Sequence, residues 1–295
     1  MENVERVLSR TTVNPIETQP VPQRTVAVEP PRASGSAIAA GRLIVNADDW
    51  GRSEEITNKQ FNCLRCGAVS SVSAMVFMPD SERAAAMARE HGVDAGLHLN
   101  FTSAFLAANC PPRLLERQRA VAHFLAGSAF ARGIYNPFLA RAFAYIVRAQ
   151  IEEYTRLYGA APGRLDGHHH MHLAANVLLS GLLPEGTIVR RHFSHELREK
   201  ALRHHVFRAA TDALLKRRYR VTDYFFPLIP FDIPARMERI FALAATSTVE
   251  IETHPVNPEE YQFLAGGEIF RWAGNTPVAR TYDLGPAPVS KSSIQ

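Results

Sequence analysis

The chain has 295 residues, 46% of them hydrophobic and 21% charged, enough for one large packed domain and too apolar for a disordered one. Lysine and arginine exceed aspartate and glutamate by 33 − 29 = 4, too mild an excess to argue for nucleic-acid binding. Three cysteines exclude a disulfide framework, and no apolar run is long enough to span a bilayer.

Residues 1–40 carry Pro15, Pro20, Pro22, Pro30 and Pro31 among polar residues and read as a disordered leader. The short apolar stretch Ala37-Ile38-Ala39-Ala40 lies too far in to be a secretory signal, so the expected location is cytoplasmic. The expected globular domain, residues 41–281, opens with an apolar run at 42–47 that fits a buried parallel strand and ends in Asp48-Asp49-Trp50-Gly51. Two adjacent carboxylates at the mouth of a buried strand are costly unless paired or metal-bound. Ser53 can cap the following helix by itself, which leaves both aspartates free. That helix closes at Cys63-Leu64-Arg65-Cys66, the wrong helix end to activate a thiol, and no second pair follows to complete a zinc site.

Residues 68–78 read as a second strand and 81–90 as an Ala-rich helix stopped by Gly92. From 93 to 101 the residues alternate: Val93, Ala95, Leu97, Leu99 and Phe101 on one face, Gly96, His98 and Asn100 on the other. His98 therefore sits near a strand end among small and polar neighbours. Residues 102–135 show no clean period and read as a long irregular, substrate-covering loop. Asn136-Pro137 opens a helix whose apolar residues recur from Phe138 to Leu157, ended by Gly159. Then comes Asp166-Gly167-His168-His169-His170-Met171-His172, four histidines in five positions behind a carboxylate, too far inside the chain for a purification tag. Neutral imidazole is the commonest protein metal ligand and moves protons near neutral pH. Downstream, 174–183 reads as a helix, 187–191 as a strand and 196–220 as a basic amphipathic helix, either solvated or facing an anionic partner. A further helix opens at Pro234, a strand over 248–255 ends in His254-Pro255, and 282–295 reads as a flexible tail.

Strand and helix patterns alternate, and polar residues recur where strands end. This predicts the α/β class and a (β/α) barrel or related parallel fold, with its site at the C-terminal strand mouths. The lack of a Gly-rich phosphate loop disfavours a doubly wound nucleotide-binding fold. Asp48, Asp49, His98, the His168–His172 cluster and His254 would then converge. One carboxylate with two imidazoles leaves open positions on a divalent metal, which polarises a carbonyl and lowers the pKa of bound water. A second carboxylate can take the water's proton and a histidine can return one to a leaving group. Such parts suit hydrolysis of an amide or ester.

Four blocks, Leu43-Ile44-Val45-Asn46-Ala47-Asp48-Asp49-Trp50-Gly51, Gly96-Leu97-His98-Leu99, Leu165 through His172, and Glu252-Thr253-His254-Pro255, resemble in order the signature blocks of the YdjC-like carbohydrate deacetylases. That family includes chitooligosaccharide deacetylases and a hopanoid-biosynthesis-associated branch. The resemblance implies a distorted (β/α) barrel related to polysaccharide deacetylases, acetyl removal from N-acetylated sugars, and one divalent metal ion, Mg2+ or Zn2+. It implies Asp49, His98 and His168 as metal ligands and Asp48 as the catalytic base. His254, at a separate strand end, is assigned as proton donor, with His170 and His172 the other candidates. Asp166 is expected to orient a ligand imidazole, and His170 and His172 to serve ligands or substrate. On ligand type alone, two imidazoles favour zinc or a similar transition metal over magnesium. The expected partner is an N-acetylated sugar, oligosaccharide or lipid-linked glycan. Neither nucleic acid nor a transmembrane segment is expected, and peripheral membrane contact and a homodimer stay open. The rival readings are another metal-dependent barrel enzyme, such as a phosphoesterase or sugar isomerase, and a non-catalytic sugar- or metal-binding barrel.

Overall fold

Seven short parallel strands organise the chain in the computed structural model, which describes residues 41–128, 130–194 and 202–284. In chain order they are β1 (Arg42–Trp50), β2 (Ser71–Ala74), β3 (Ala95–Leu99), β4 (Arg164–Gly167), β5 (Ile188–Val189), β6 (Tyr224–Pro227) and β7 (Thr248–Thr253). Between and after them lie helices α1 (Glu54–Arg65), α2 (Ser81–His91), α3 (Pro112–Ala126), α4 (Ala140–Tyr158), α5 (Ala175–Leu179), α6 (Leu202–Arg218), α7 (Pro234–Ala244), α8 (Pro258–Ala265) and α9 (Glu268–Ala273). The sheet order β5-β4-β3-β2-β1-β7-β6 is sequence order run round a circle. Chain beside the two outer strands also meets: Ile188 bridges Arg220 in parallel, and Ser194 N donates to Phe225 O at 2.7 Å. The sheet thus curls into a distorted barrel, as the sequence pattern predicts.

Alternation along each strand sorts the side chains. Leu43, Val45, Ala47, Leu97, Leu99, Leu165, Val249 and Ile251 are buried in the apolar core beneath the helices. At roughly 1.5–3 kcal/mol for each fully buried large aliphatic side chain, this layer supplies most of the driving force for folding. The alternate positions, Asn46, Asp48, Ser73, His98, Arg164, Asp166, Glu250 and Glu252, are buried as well, but they bond to one another inside the barrel. The lumen is therefore polar, unlike the apolar layers that usually fill such barrels. Gly96 makes room in it: a Cβ there would fall 2.7 Å from the Arg164 guanidinium.

Several expected elements change. The irregular loop of 102–135 contains the 15-residue helix α3, opened by Pro112 in its first turn and burying Leu114, Gln118, Val121 and Leu125. A glutamine inside the buried stripe hides the helical period, and the Pro pair starts the helix instead of breaking the chain. Helix α4 begins at Ala140, because Asn136 Oδ1 accepts from Phe138 N and caps the turn before it. The strands expected over 68–78 and 187–191 shrink to β2 and β5, and the helix of 174–183 to the five-residue α5. Strand β6 and helices α8 and α9 went unpredicted. Of the basic helix expected over 196–220, residues 202–218 are helical and 196–201 lie outside the described residues. Leader residues 1–40 and tail residues 285–295 also lie outside them. Tyr282, the first residue assigned to the tail, is buried, its ring under the Arg164 guanidinium. Among the described residues no helix is long and apolar enough to cross a membrane.

Candidate metal and acid–base centre

Strand β1 delivers Asp48 and Asp49 to the C-terminal mouth of the barrel, and Asp49 does so with a left-handed backbone, φ 73°. Ser53 caps α1 by accepting from Ile56 N, so neither aspartate is spent on the helix. The expected triad assembles. Asp49 Oδ1 lies 3.4 Å from His98 Nε2 on β3 and 2.9 Å from His168 Nδ1 just beyond β4. Donor separations near 3 Å are what bonds of about 2.0–2.2 Å to a shared cation produce. Asp49 Oδ1 and His98 Nε2 are buried without a hydrogen-bond partner, the state expected of atoms that face a cation, and His168 turns its Nδ1 toward the same Asp49 oxygen.

The next layer orients these donors. Asp166 Oδ1 lies 2.8 Å from His98 Nδ1, which places the ring proton on Nδ1 and aims Nε2 at Asp49. Asp166 Oδ2 accepts from Ser73 Oγ at 2.5 Å and pairs with Arg190 Nη2 at 2.9 Å. Burial alone would press the His98 imidazole down, yet Asp48 and Asp166 lift it to about 10. Burial likewise works against ionised Asp49, but His168 and His98 outweigh it and hold the carboxyl well below the usual carboxylate range. Both shifts have one meaning: this pocket attracts positive charge. Arg190 pairs with Asp48, Asp166, Glu250 and Glu252, while Arg52 pairs with Asp49 Oδ2 and leaves Oδ1 facing the two imidazoles.

Arg190, just past β5, is the residue that sequence reasoning missed. Its guanidinium is 1% exposed and forks onto Asp48 at 2.5 and 2.7 Å, while Nε donates to Glu250 at 2.7 Å and Nη1 lies 3.4 Å from Glu252. The Arg190 plane and Asn46 Nδ2 thus fix Asp48 rigidly. Asp48, His98 and Asp166 also cluster at ligand spacing, as do Asp48, Glu252 and His254. In both groups Arg190 already bonds the carboxylates, so a cation there would displace it. In the Asp49–His98–His168 group Arg52 Nη1 bonds Asp49 Oδ2 alone, at 2.8 Å, and leaves Oδ1 open toward both imidazoles.

The surplus histidines have separate surroundings, because His169 and His170 adopt left-handed backbone, φ 55° and 57°, and turn the chain sharply. His169 Nδ1 meets Thr102 Oγ1 at 3.0 Å. His170 Nε2 lies 3.6 Å from Glu252, its ring edge-on to Phe193; burial, then the Arg190 charge, pushes it well below an ordinary histidine. His172 is fully buried and donates from Nε2 to the Arg190 carbonyl at 2.9 Å, with burial pulling it to about 4. It supports Arg190 and does not face the mouth. His254 follows β7, partly exposed, its Nε2 3.8 Å from Glu252 Oε1, with its N–H held by Glu260. Burial and Asp48 push the Glu252 carboxyl well above the usual range.

A family model described as YdjC-like protein matches residues 42–269. A carbohydrate deacetylase from Homo sapiens is 31% identical over 144 residues, 46% of this chain and 42% of that protein. A chitooligosaccharide deacetylase from Serratia marcescens is 30% identical over 141 residues, 46% of this chain and 52% of that protein. The chain spans about half the length of the curated relatives it matches. A crystal structure of an Enterococcus faecalis V583 protein, provisionally assigned to cellobiose-phosphate cleavage, superimposes with a TM-score of 0.60 at 18% identity, covering 82% of this chain and 97% of that one. At that identity the likeness shows the shared fold alone.

Proposed function

The chain belongs to the YdjC-like family, and on that premise we propose that it is a metal-dependent carbohydrate deacetylase, a hydrolase that removes acetyl from N-acetylated sugars. One observation carries the reading: Asp49 Oδ1 and His98 Nε2 are buried and unpartnered beside an Asp48 carboxylate fixed by Arg190. Asp49, His98 and His168 hold the metal. When bound, a divalent cation polarises the acetyl carbonyl and lowers the pKa of water. Two imidazoles among three ligands favour zinc or a similar transition metal over magnesium.

Asp48 takes the proton of the attacking water. Arg190 holds its carboxylate aimed at two points, so no rotation precedes the transfer. His254 returns a proton to the departing sugar amine. Its ligand atom lies within 4.8 Å of Asp48 and Glu252, and its side chain is the most exposed of the three candidate donors, 37% against 22% for His170 and none for His172. His172 is committed to Arg190, and burial keeps His170 neutral.

The test is acetate release by the metal-loaded protein across free N-acetylated sugars, oligosaccharides and lipid-linked glycans. Asp48→Asn should keep metal and lose turnover by about 10²–10⁴-fold, whereas His98→Ala and His168→Ala should lose metal. Full activity in Asp48→Asn removes the base assignment. Phosphate release or aldose–ketose conversion in place of acetate would install a rival enzyme class, and metal binding without any turnover a non-catalytic barrel.

A further inference from the structure

A line of hydrogen bonds runs from Asp48 to the opposite end of the barrel. Arg190 forks onto Asp48, its Nε donates to Glu250 Oε1 at 2.7 Å, and Glu250 Oε2 accepts the Tyr282 hydroxyl at 2.6 Å. Each of these side chains is buried. Tyr282 belongs to no strand or helix. It sits on a strap, residues 278–283, laid across the start of β1: Val278 bridges Leu43, and Ala279 N donates to Leu43 O at 2.7 Å. Arg42 pairs with Asp283 at 3.1 Å, and Tyr282 N donates to Asp94 at 2.6 Å. The Arg164 guanidinium packs 4.4 Å from the Tyr282 ring centroid. The ring is held on several sides, and its hydroxyl has one address.

We infer that Tyr282 is a positioning residue for Asp48, acting through Glu250 and Arg190; this rests on the proposed role of Asp48 as base. Each Glu250 oxygen holds one strong donor, Arg190 Nε on one side and the tyrosine hydroxyl on the other. In a dry interior a carboxylate that loses one donor is drawn onto the other. The guanidinium is a rigid plane, so any tilt imposed at Nε is passed undiminished to the two Nη atoms that aim Asp48. A strap some 230 residues downstream of the base in sequence thereby sets its orientation across three hydrogen bonds.

Tyr282→Phe is the test, because it keeps the ring over Arg164 and removes the hydroxyl alone. In the metal-loaded protein kcat for acetate release should fall about tenfold with KM unchanged, since the strap lies far from the mouth. In a Glu250→Gln background the same substitution should change kcat less than about twofold, because the link is already cut. The Arg190 Nε–H resonance should also move on Tyr282→Phe, a readout that needs no substrate. If Tyr282→Phe does not fold, Glu250→Gln must shift that resonance and lower kcat in its place. Unchanged kcat and an unmoved resonance in a folded variant overturn the inference, as does a tenfold loss that persists in full beside Glu250→Gln. If the wild type releases no acetate while the resonance still moves, the functional reading fails and the mechanical link stands.

Discussion

Replacing Arg190 by lysine asks whether the lumen depends on the shape of the guanidinium or only on its charge. Lysine keeps the positive charge but has no planar fork, so it cannot hold Asp48 at two points while reaching Asp166 at 2.9 Å and Glu250 at 2.7 Å. Losing at least one charge-assisted hydrogen bond should cost about 2–3 kcal/mol, read as a lower urea midpoint or a fall in Tm of about 4–12 °C. Arg190→Met, which removes the counter-charge that Asp48, Asp166 and Glu250 share, should cost more, about 3–5 kcal/mol. Zinc titration should separate function from folding. Arg190 touches neither Asp49 nor His168, so both variants should still bind metal while acetate release falls at least about 10²-fold. If Arg190→Lys matches wild type in both midpoint and turnover, Arg190 is a mere counter-ion and the orienting role given to it is wrong.

Other perturbations probe separate parts. Asp166→Asn should weaken metal binding about 10–100-fold by calorimetry, because it loosens the tautomer and aim of His98; unaltered affinity would show that Asp166 does not orient the ligand. Gly96→Ala drives a methyl to 2.7 Å from the Arg164 guanidinium and should cost about 1–3 kcal/mol in thermal denaturation. His192 is buried and neutral, pulled to about 3 first by burial and then by Arg132 and His172. Unfolding lets it take up a proton, so it has no effect above its ordinary pKa of about 6.5 and costs stability as pH falls below that towards 3. The stability of wild type relative to His192→Phe should therefore drop by about 2 kcal/mol between about pH 7.5 and about pH 5. A constant difference in urea melts would mean that His192 is not buried neutral.

The triad Asp49, His98 and His168 was legible because each residue ends a strand, and parallel barrels gather strand ends at one mouth. The inner residues were not, for a physical reason. In β7, Glu250 and Glu252 alternate with Val249 and Ile251, the pattern of a strand with one face in water. Alternation distinguishes two faces but does not say which of them meets solvent, and here the polar face meets other strands. Arg190 follows a strand of two residues, too short to show any period. Tyr282 lies among prolines and glycine, where local signals point to loose chain, and only tertiary contacts bury it. Depth was equally illegible: His170 and His172 share a run with His168, yet burial lowers both imidazoles, which is why the proposal takes His254 as the donor.

The polar lumen has a consequence for how this chain can change. Asp48, Asp166, Glu250 and Glu252 share the one guanidinium of Arg190, so a substitution at any of the five alters what the others experience. Single-site effects there will not sum, and a change tolerated in one background will be lethal in another. The apolar shell outside follows ordinary rules, in which size and shape matter and distant sites add. Divergence between relatives should accordingly accumulate residue by residue in the shell, while the lumen is inherited, or exchanged, as a block.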